Sequence, residues 1–201
     1  MESATMAAVR RILAENPKRT LGDPTLAPAG VMLLLYPKDG EYAILLNKRS
    51  DTVDDHKGEV SFPGGRRDGA DRTLLDTALR ETHEEVGIRP DDVDVLGELD
   101  EVATNSSYAI GTFVGTIPAG YRFVPSQAEV AEIIELPAGP LISGALDRNE
   151  TRLIDWKPVR WPCYAYDDHV IFGATARLLL RFVELMSQAS GEELTWKTQP
   201  G

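Results

Sequence analysis

A chain of 201 residues, 42% of them hydrophobic, is long enough to bury a core and short enough to be one domain with brief additions. Its 32 acidic against 21 basic residues leave a net charge of −11, which argues against a nucleic-acid duplex or an anionic membrane surface as the main partner. Cys163 is the one cysteine and has no neighbour at zinc-ligand spacing, the N-terminus has no secretory apolar run, and no stretch approaches transmembrane length, so a cytoplasmic protein is expected.

A short helix is expected over residues 4–15, followed by a turn-rich approach from Pro17 to Pro28. Ala29–Tyr36 is continuously apolar, as in a strand buried on both faces, and Lys38-Asp39-Gly40 supplies a hairpin turn into a second strand at 41–46. The chain is then largely polar up to Pro63-Gly64-Gly65, a turn signal. A helix is predicted from about Thr73 to Val86, with Thr73 and Asp76 as its N-terminal box and Gly87 as its stop. Strands follow near 93–100, 108–117, 129–136, 151–155 and 160–172, and a last amphipathic helix spans 174–189. Strands and helices mix without a βαβ repeat, which gives an α+β or α/β/α arrangement.

In the helix at 73–86, Leu75, Leu79, Thr82 and Val86 fall on one stripe that should face the core. Glu81, Glu84 and Glu85, at i, i+3 and i+4, share the opposite, solvent-facing surface. Three like charges so close repel unless a cation sits among them, and magnesium, which takes oxygen ligands from one or two carboxylates together with phosphates, is the natural one. A solvated acidic face has the same spacing. The Gly64-Gly65 turn tips the balance, because glycine backbone can approach a ligand closely and offer free amides to phosphate.

Gly65 followed by Arg80-Glu81-Thr82-His83-Glu84-Glu85-Val86-Gly87-Ile88 resembles the Nudix box, G-x5-E-x7-R-E-U-x-E-E-x-G-U, with U a bulky aliphatic residue. Two departures stand out: Thr82 replaces an aliphatic residue, and the loop is one residue longer, so that Asp71 or Arg72 stands at the first glutamate depending on the direction of counting. Upstream, Leu45-Leu46-Asn47-Lys48-Arg49-Ser50 through Phe62-Pro63-Gly64-Gly65 is similar to the signature of the coenzyme A pyrophosphatase branch. There Asn47 replaces a threonine and Asp54 a second arginine. Phe172-Gly173-Ala174-Thr175-Ala176-Arg177 is similar to the same branch.

The resemblance implies an α+β fold, a Nudix-type α/β/α sandwich with a mixed sheet and a loop-helix-loop, occupying residues 29–190 between an N-terminal segment, 1–28, and a tail, 191–201. It implies a pyrophosphohydrolase that uses Mg²⁺, or Mn²⁺ in its place, to split the diphosphate of a nucleoside diphosphate derivative. Coenzyme A or an acyl derivative is the first expectation, with ADP-ribose or NADH, or nucleotide sensing without catalysis, as alternatives. Glu81 and Glu85 would be the main metal ligands, Glu84 a further ligand or the base, and Arg80 their clamp. Arg49, Lys57, Gly64, Gly65 and Arg66 would bind substrate, with Arg67 the next cation in line. Tyr108 and Phe113 are candidates to stack a base, and His56, His83 and His169 are expected to be plain surface residues. The expected partner is a small nucleotide, with no nucleic acid and no membrane, and a homodimer is compatible with a soluble enzyme of this kind.

Overall fold

The computed structural model describes residues 3–50, 57–154, 156–188 and 194–198. Strand β1 (Ala27–Lys38) lies at the centre of a mixed sheet, antiparallel to β2 (Glu41–Arg49) and to the short β4 (Gly64–Arg66), and parallel to β6 (Tyr108–Thr116). β5 (Asp94–Ala103) pairs with β6 on one side, while β3 (Val60–Ser61) and β7 (Val130–Pro137) pair with β2 on the other. β1 and β2 pair directly only between Leu35–Lys38 and Glu41–Ile44; beyond that they diverge, and the β3–β4 turn is wedged between them.

The unbroken apolar run of β1 has the expected cause. Val31, Leu33 and Leu35 enter one core with Met6, Val9 and Ile12 of α1 (Ala4–Glu15) and Leu178, Leu179 and Phe182 of α4 (Gly173–Gln188). Met32, Leu34 and Tyr36 enter the other with Ala78 and Val86 of α2 (Leu74–Val86). Alternate residues of one strand thus serve two layers, which is the α/β/α sandwich. Gly30 sets how closely α2 approaches: a Cβ there would stand 2.3 Å from the Leu74 carbonyl oxygen.

The remaining chain forms α3 (Ala138–Ile142), the hairpin β8 (Glu150–Ile154) with β9 (Lys157–Trp161), and the hairpin β10 (Tyr164–Tyr166) with β11 (His169–Ile171). The single strand expected over 160–172 is therefore three pieces, the last two folded at the Asp167 turn, where φ is 48°. Residues 194–198 return to the sheet, where Trp196 packs edge-on against Tyr42 and Phe182. Among the described residues no helix is long and apolar enough to cross a membrane.

Candidate active site

Helix α2 carries the site and is fixed at both ends. Thr73 accepts from the Asp76 amide and Asp76 from the Thr73 amide, a complete capping box, and Gly87 ends the helix at φ 78°. Two carbonyls of the last turn are satisfied from outside, with Ser126 N–H donating to Glu85 O and Val124 N–H to Val86 O. The substitution at Thr82 is accommodated because its hydroxyl donates to Ala78 O at 2.6 Å within the helix.

The burial of this helix differs from the expected pattern at one decisive residue. Ala78, Thr82 and Val86 are fully buried and Leu75 and Leu79 half-buried, but Glu85 is only 3% exposed and faces the sheet instead of solvent. It lies three residues after Thr82, beside the buried stripe, and the helix presses it against β2 and β4. Its Oε2 accepts from Asn47 Nδ2 at 2.9 Å and from the Gly64 amide at 3.1 Å, while its Oε1 is 3.8 Å from Arg49 Nη1. Burial raises its pKa to about 7, against the opposing pull of the Gly64 amide, Arg49 and Asn47.

Glu81 lies against the next residue of the same turn. A Cβ on Gly65 would come within 2.6–2.8 Å of the Glu81 carboxyl group, so a side chain there would have to displace that carboxylate from its place against β4. Gly64, at φ 150°, has a Cβ position blocked by the Gly30 carbonyl at 2.4 Å. The carboxylates of Glu81 and Glu85 therefore flank two successive glycines, whose Cα atoms are about 3.8 Å apart. Burial raises the pKa of Glu81 as well, opposed by Arg80. The exposed Glu129 adds to this: its loop is tied down by Ser50 N–H donating to Glu129 O, and its charge raises the Glu81 pKa further.

Arg80 links the outer acids. Its Nη1 donates to Glu81 Oε1 at 2.7 Å and to Glu84 Oε2 at 3.0 Å. Its Nε and Nη2 make a two-pronged contact with Asp71 at 3.1 and 2.9 Å, and Nη2 also reaches Arg66 O at 3.3 Å. Arg80 thus bonds bidentately to Asp71 and with a single nitrogen to the glutamates. Asp71 is 8% exposed and also accepts from the Asp68 amide and from the Thr77 hydroxyl. These bonds, Arg80 foremost, hold its carboxyl well below the usual carboxylate range. Of the two residues that counting left open, Asp71 is the one that meets Arg80, and Arg72 is exposed.

The structure brings Arg80, Glu81, Glu84, Glu85, Gly64, Gly65 and Arg49 together. Lys57 and Arg66 are exposed, and Arg66 meets Arg80 through its backbone oxygen. Asp54 and His56 lie outside the described residues. His83 is exposed on the helix, and His169 pairs with Glu132 at 3.1 Å in another part of the molecule. Phe113 packs in the core under α2, whereas Tyr108 is half-buried. Three further residues join the site: the fully buried Asn47, noted in the sequence only as a replacement for threonine, and the half-buried Ser61 and exposed Glu129, which carry no local signal. Among the described residues no three acids, histidines or cysteines converge as a ready-made metal cage. The Glu81 and Glu85 pair nevertheless suits a hard divalent cation, being oxygen-only, partly desolvated and incompletely neutralised.

A glycine turn meeting paired helical carboxylates is the kind of donor set that metal-assisted chemistry on phosphates draws on. The sequence pattern of the NUDIX domain matches residues 26–163. The chain is 39% identical over 138 residues to NudL of Pectobacterium atrosepticum, an uncharacterised Nudix hydrolase, covering 68% of this chain and 71% of that one. It is 35% identical over 171 residues to NudL of Photorhabdus laumondii, covering 83% and 88%. A MutT/nudix family protein from Enterococcus faecalis shares the fold with TM-score 0.51 at 12% identity, over 84% of this chain and 64% of that one. The chain belongs to the Nudix family and is a hydrolase of phosphoanhydride bonds. Enzymes of this family generally depend on divalent cations.

Proposed function

We propose that the protein hydrolyses the diphosphate of coenzyme A or an acyl derivative, with Mg²⁺, to 3',5'-ADP and the corresponding phosphopantetheine. The observation that carries the reading is the Glu81 and Glu85 carboxylate pair set against Gly64-Gly65. The choice of coenzyme A rests on the stretch from Leu45 to Gly65, which resembles the signature of that branch and whose described residues include the end of β2, β3 and the glycine turn of the site.

When bound, the metal would neutralise phosphoryl oxygens and lower the pKa of a coordinated water. Glu81 and Glu85 would hold it. Glu84, with a side chain 52% exposed, is the residue free to meet water and serves as the base or a further oxygen ligand. Arg80, braced by Asp71, keeps Glu81 and Glu84 from separating under their mutual repulsion. The Gly64-Gly65 backbone gives the diphosphate close access, and Arg49, Lys57 and Arg66 supply positive charge that offsets the acidic field of the protein. Water adds across the P–O–P link, leaving one phosphate on each product.

Incubation with Mg²⁺ and coenzyme A, ADP-ribose or NADH, with products resolved by ion-exchange chromatography, tests this. Release of 3',5'-ADP faster than turnover of the other two supports it. Preference for ADP-ribose or NADH would overturn the substrate, and no metal-dependent product from any of them would favour a nucleotide-sensing domain.

A further inference from the structure

We infer that Asn47, oriented by Ser61, is a positioning residue that holds one oxygen of Glu85 and presents the other to the metal, an inference that rests on the function proposed above. Asn47 is 1% exposed and occupies a β2 position whose neighbours on the same face, Ala43 and Leu45, are apolar core residues. A buried amide at such a place is costly unless each of its polar ends is satisfied.

Both ends are satisfied, and in one sense only. Glu85, when ionised, has no proton to give, so the amide must turn its Nδ2 toward Oε2, where the separation is 2.9 Å. The Asn47 Oδ1 then needs a donor, and the Ser61 hydroxyl, on the residue directly opposite in β3, donates to it at 2.8 Å. Ser61 thereby fixes the amide orientation and the amide fixes the carboxylate. Oε2 takes a second bond from the Gly64 amide at 3.1 Å. Oε1 is left with the Arg49 guanidinium at 3.8 Å, beyond hydrogen-bond length, so it is the oxygen with lone pairs to offer. The chain Ser61, Asn47, Glu85 also links the first short strand of the glycine wedge to the helix.

Outer partners that orient metal ligands typically change metal affinity by 10- to 100-fold when removed. The test is Mn²⁺ binding to the full chain without substrate, followed by electron paramagnetic resonance of free Mn²⁺, with kcat and KM for coenzyme A measured in parallel. Asn47→Ala is expected to weaken Mn²⁺ by about 10-fold or more and to lower kcat with KM changed less than about threefold. Asn47→Thr, which restores a short donor, is expected to recover most of the affinity. Ser61→Ala is expected to weaken Mn²⁺ by a smaller factor, because the amide remains but loses its orientation. Unchanged Mn²⁺ affinity in folded Asn47→Ala overturns the inference. If that variant does not fold, unchanged affinity in Ser61→Ala overturns it. Wild-type protein that binds Mn²⁺ but hydrolyses none of the nucleotides overturns the proposed function alone, and wild-type protein that binds no Mn²⁺ overturns both.

Discussion

Two acid-rich regions of this molecule look alike in composition and differ in how their charges are balanced. Beside the edge strand β7, a cleft of about 320 Å³ is lined by Asp39, Glu41, Glu132, Glu135 and Asp167, together with Lys38, Tyr166 and His169. There Glu135 pairs with Lys38 and accepts from the Tyr36 hydroxyl, and Glu132 pairs with His169. Along α2, Glu85 is almost fully buried, has dipoles instead of a close cation on Oε2, and is driven up to about 7. In the cleft Glu132 and Glu135 each have a close partner, whereas the α2 site holds carboxylates that a divalent cation would relieve. An unbalanced buried charge points to function here where a cleft of paired acids does not.

The comparison is broken most easily at Glu85. Glu85→Gln is expected to lower the Mg²⁺-dependent rate by roughly three orders of magnitude, the loss of several kcal/mol of charge stabilisation, in steady-state assays of product release. Asp71→Asn should come next. It removes the bidentate brace of Arg80 and is expected to reduce kcat about 10- to 100-fold. In urea unfolding the same change should cost about 2 kcal/mol. Because the Asp71 pKa is depressed in the fold, that stabilising contribution is present at neutral pH and is lost as pH falls below the ordinary carboxylate value of 3.8.

Glu85 has the opposite sign. Its folded pKa is raised from 4.5 to about 7, so its contribution to the metal-free fold is fully present below 4.5 and is lost as pH rises through 7. Metal binding must displace that proton. Mn²⁺ affinity measured across pH 5.5 to 8.5 is therefore expected to be level above about 7 and to fall roughly tenfold per unit below it. A pH-independent affinity would mean that Glu85 is not a ligand. At the far end of the scale, Glu132→Gln is expected to leave the rate within about twofold, since it alters an exposed pair worth less than about 1 kcal/mol.

Much of this was legible in the residues. The apolar run Ala29–Tyr36, the hairpin turn after it and the two caps of α2 each have a local cause; the run forms the middle of β1, which extends two residues beyond it at each end, and the turn and caps form where their causes place them. The split of 160–172 was hidden because its turn at Asp167 lies inside a run with strand propensity, and α3 is too short for periodicity to register. At the site, identity and spacing marked the glutamates and glycines, but not which glutamate is buried. Burial of Glu85 depends on β2 and β4 covering that side of the helix, and its partners Asn47 and Gly64 lie 38 and 21 residues away. Asp71 could not be separated from Arg72 by counting; the separation is made by where the Arg80 guanidinium points.

The proposed mechanism depends on a divalent ion held between Glu81 and Glu85 beside Gly64-Gly65. Anomalous diffraction from crystals grown with Mn²⁺ tests it most directly. A peak bonded to a Glu85 oxygen and to Glu81 at that glycine turn is expected. A peak confined to the β7 cleft, or no peak near Glu85, would contradict it.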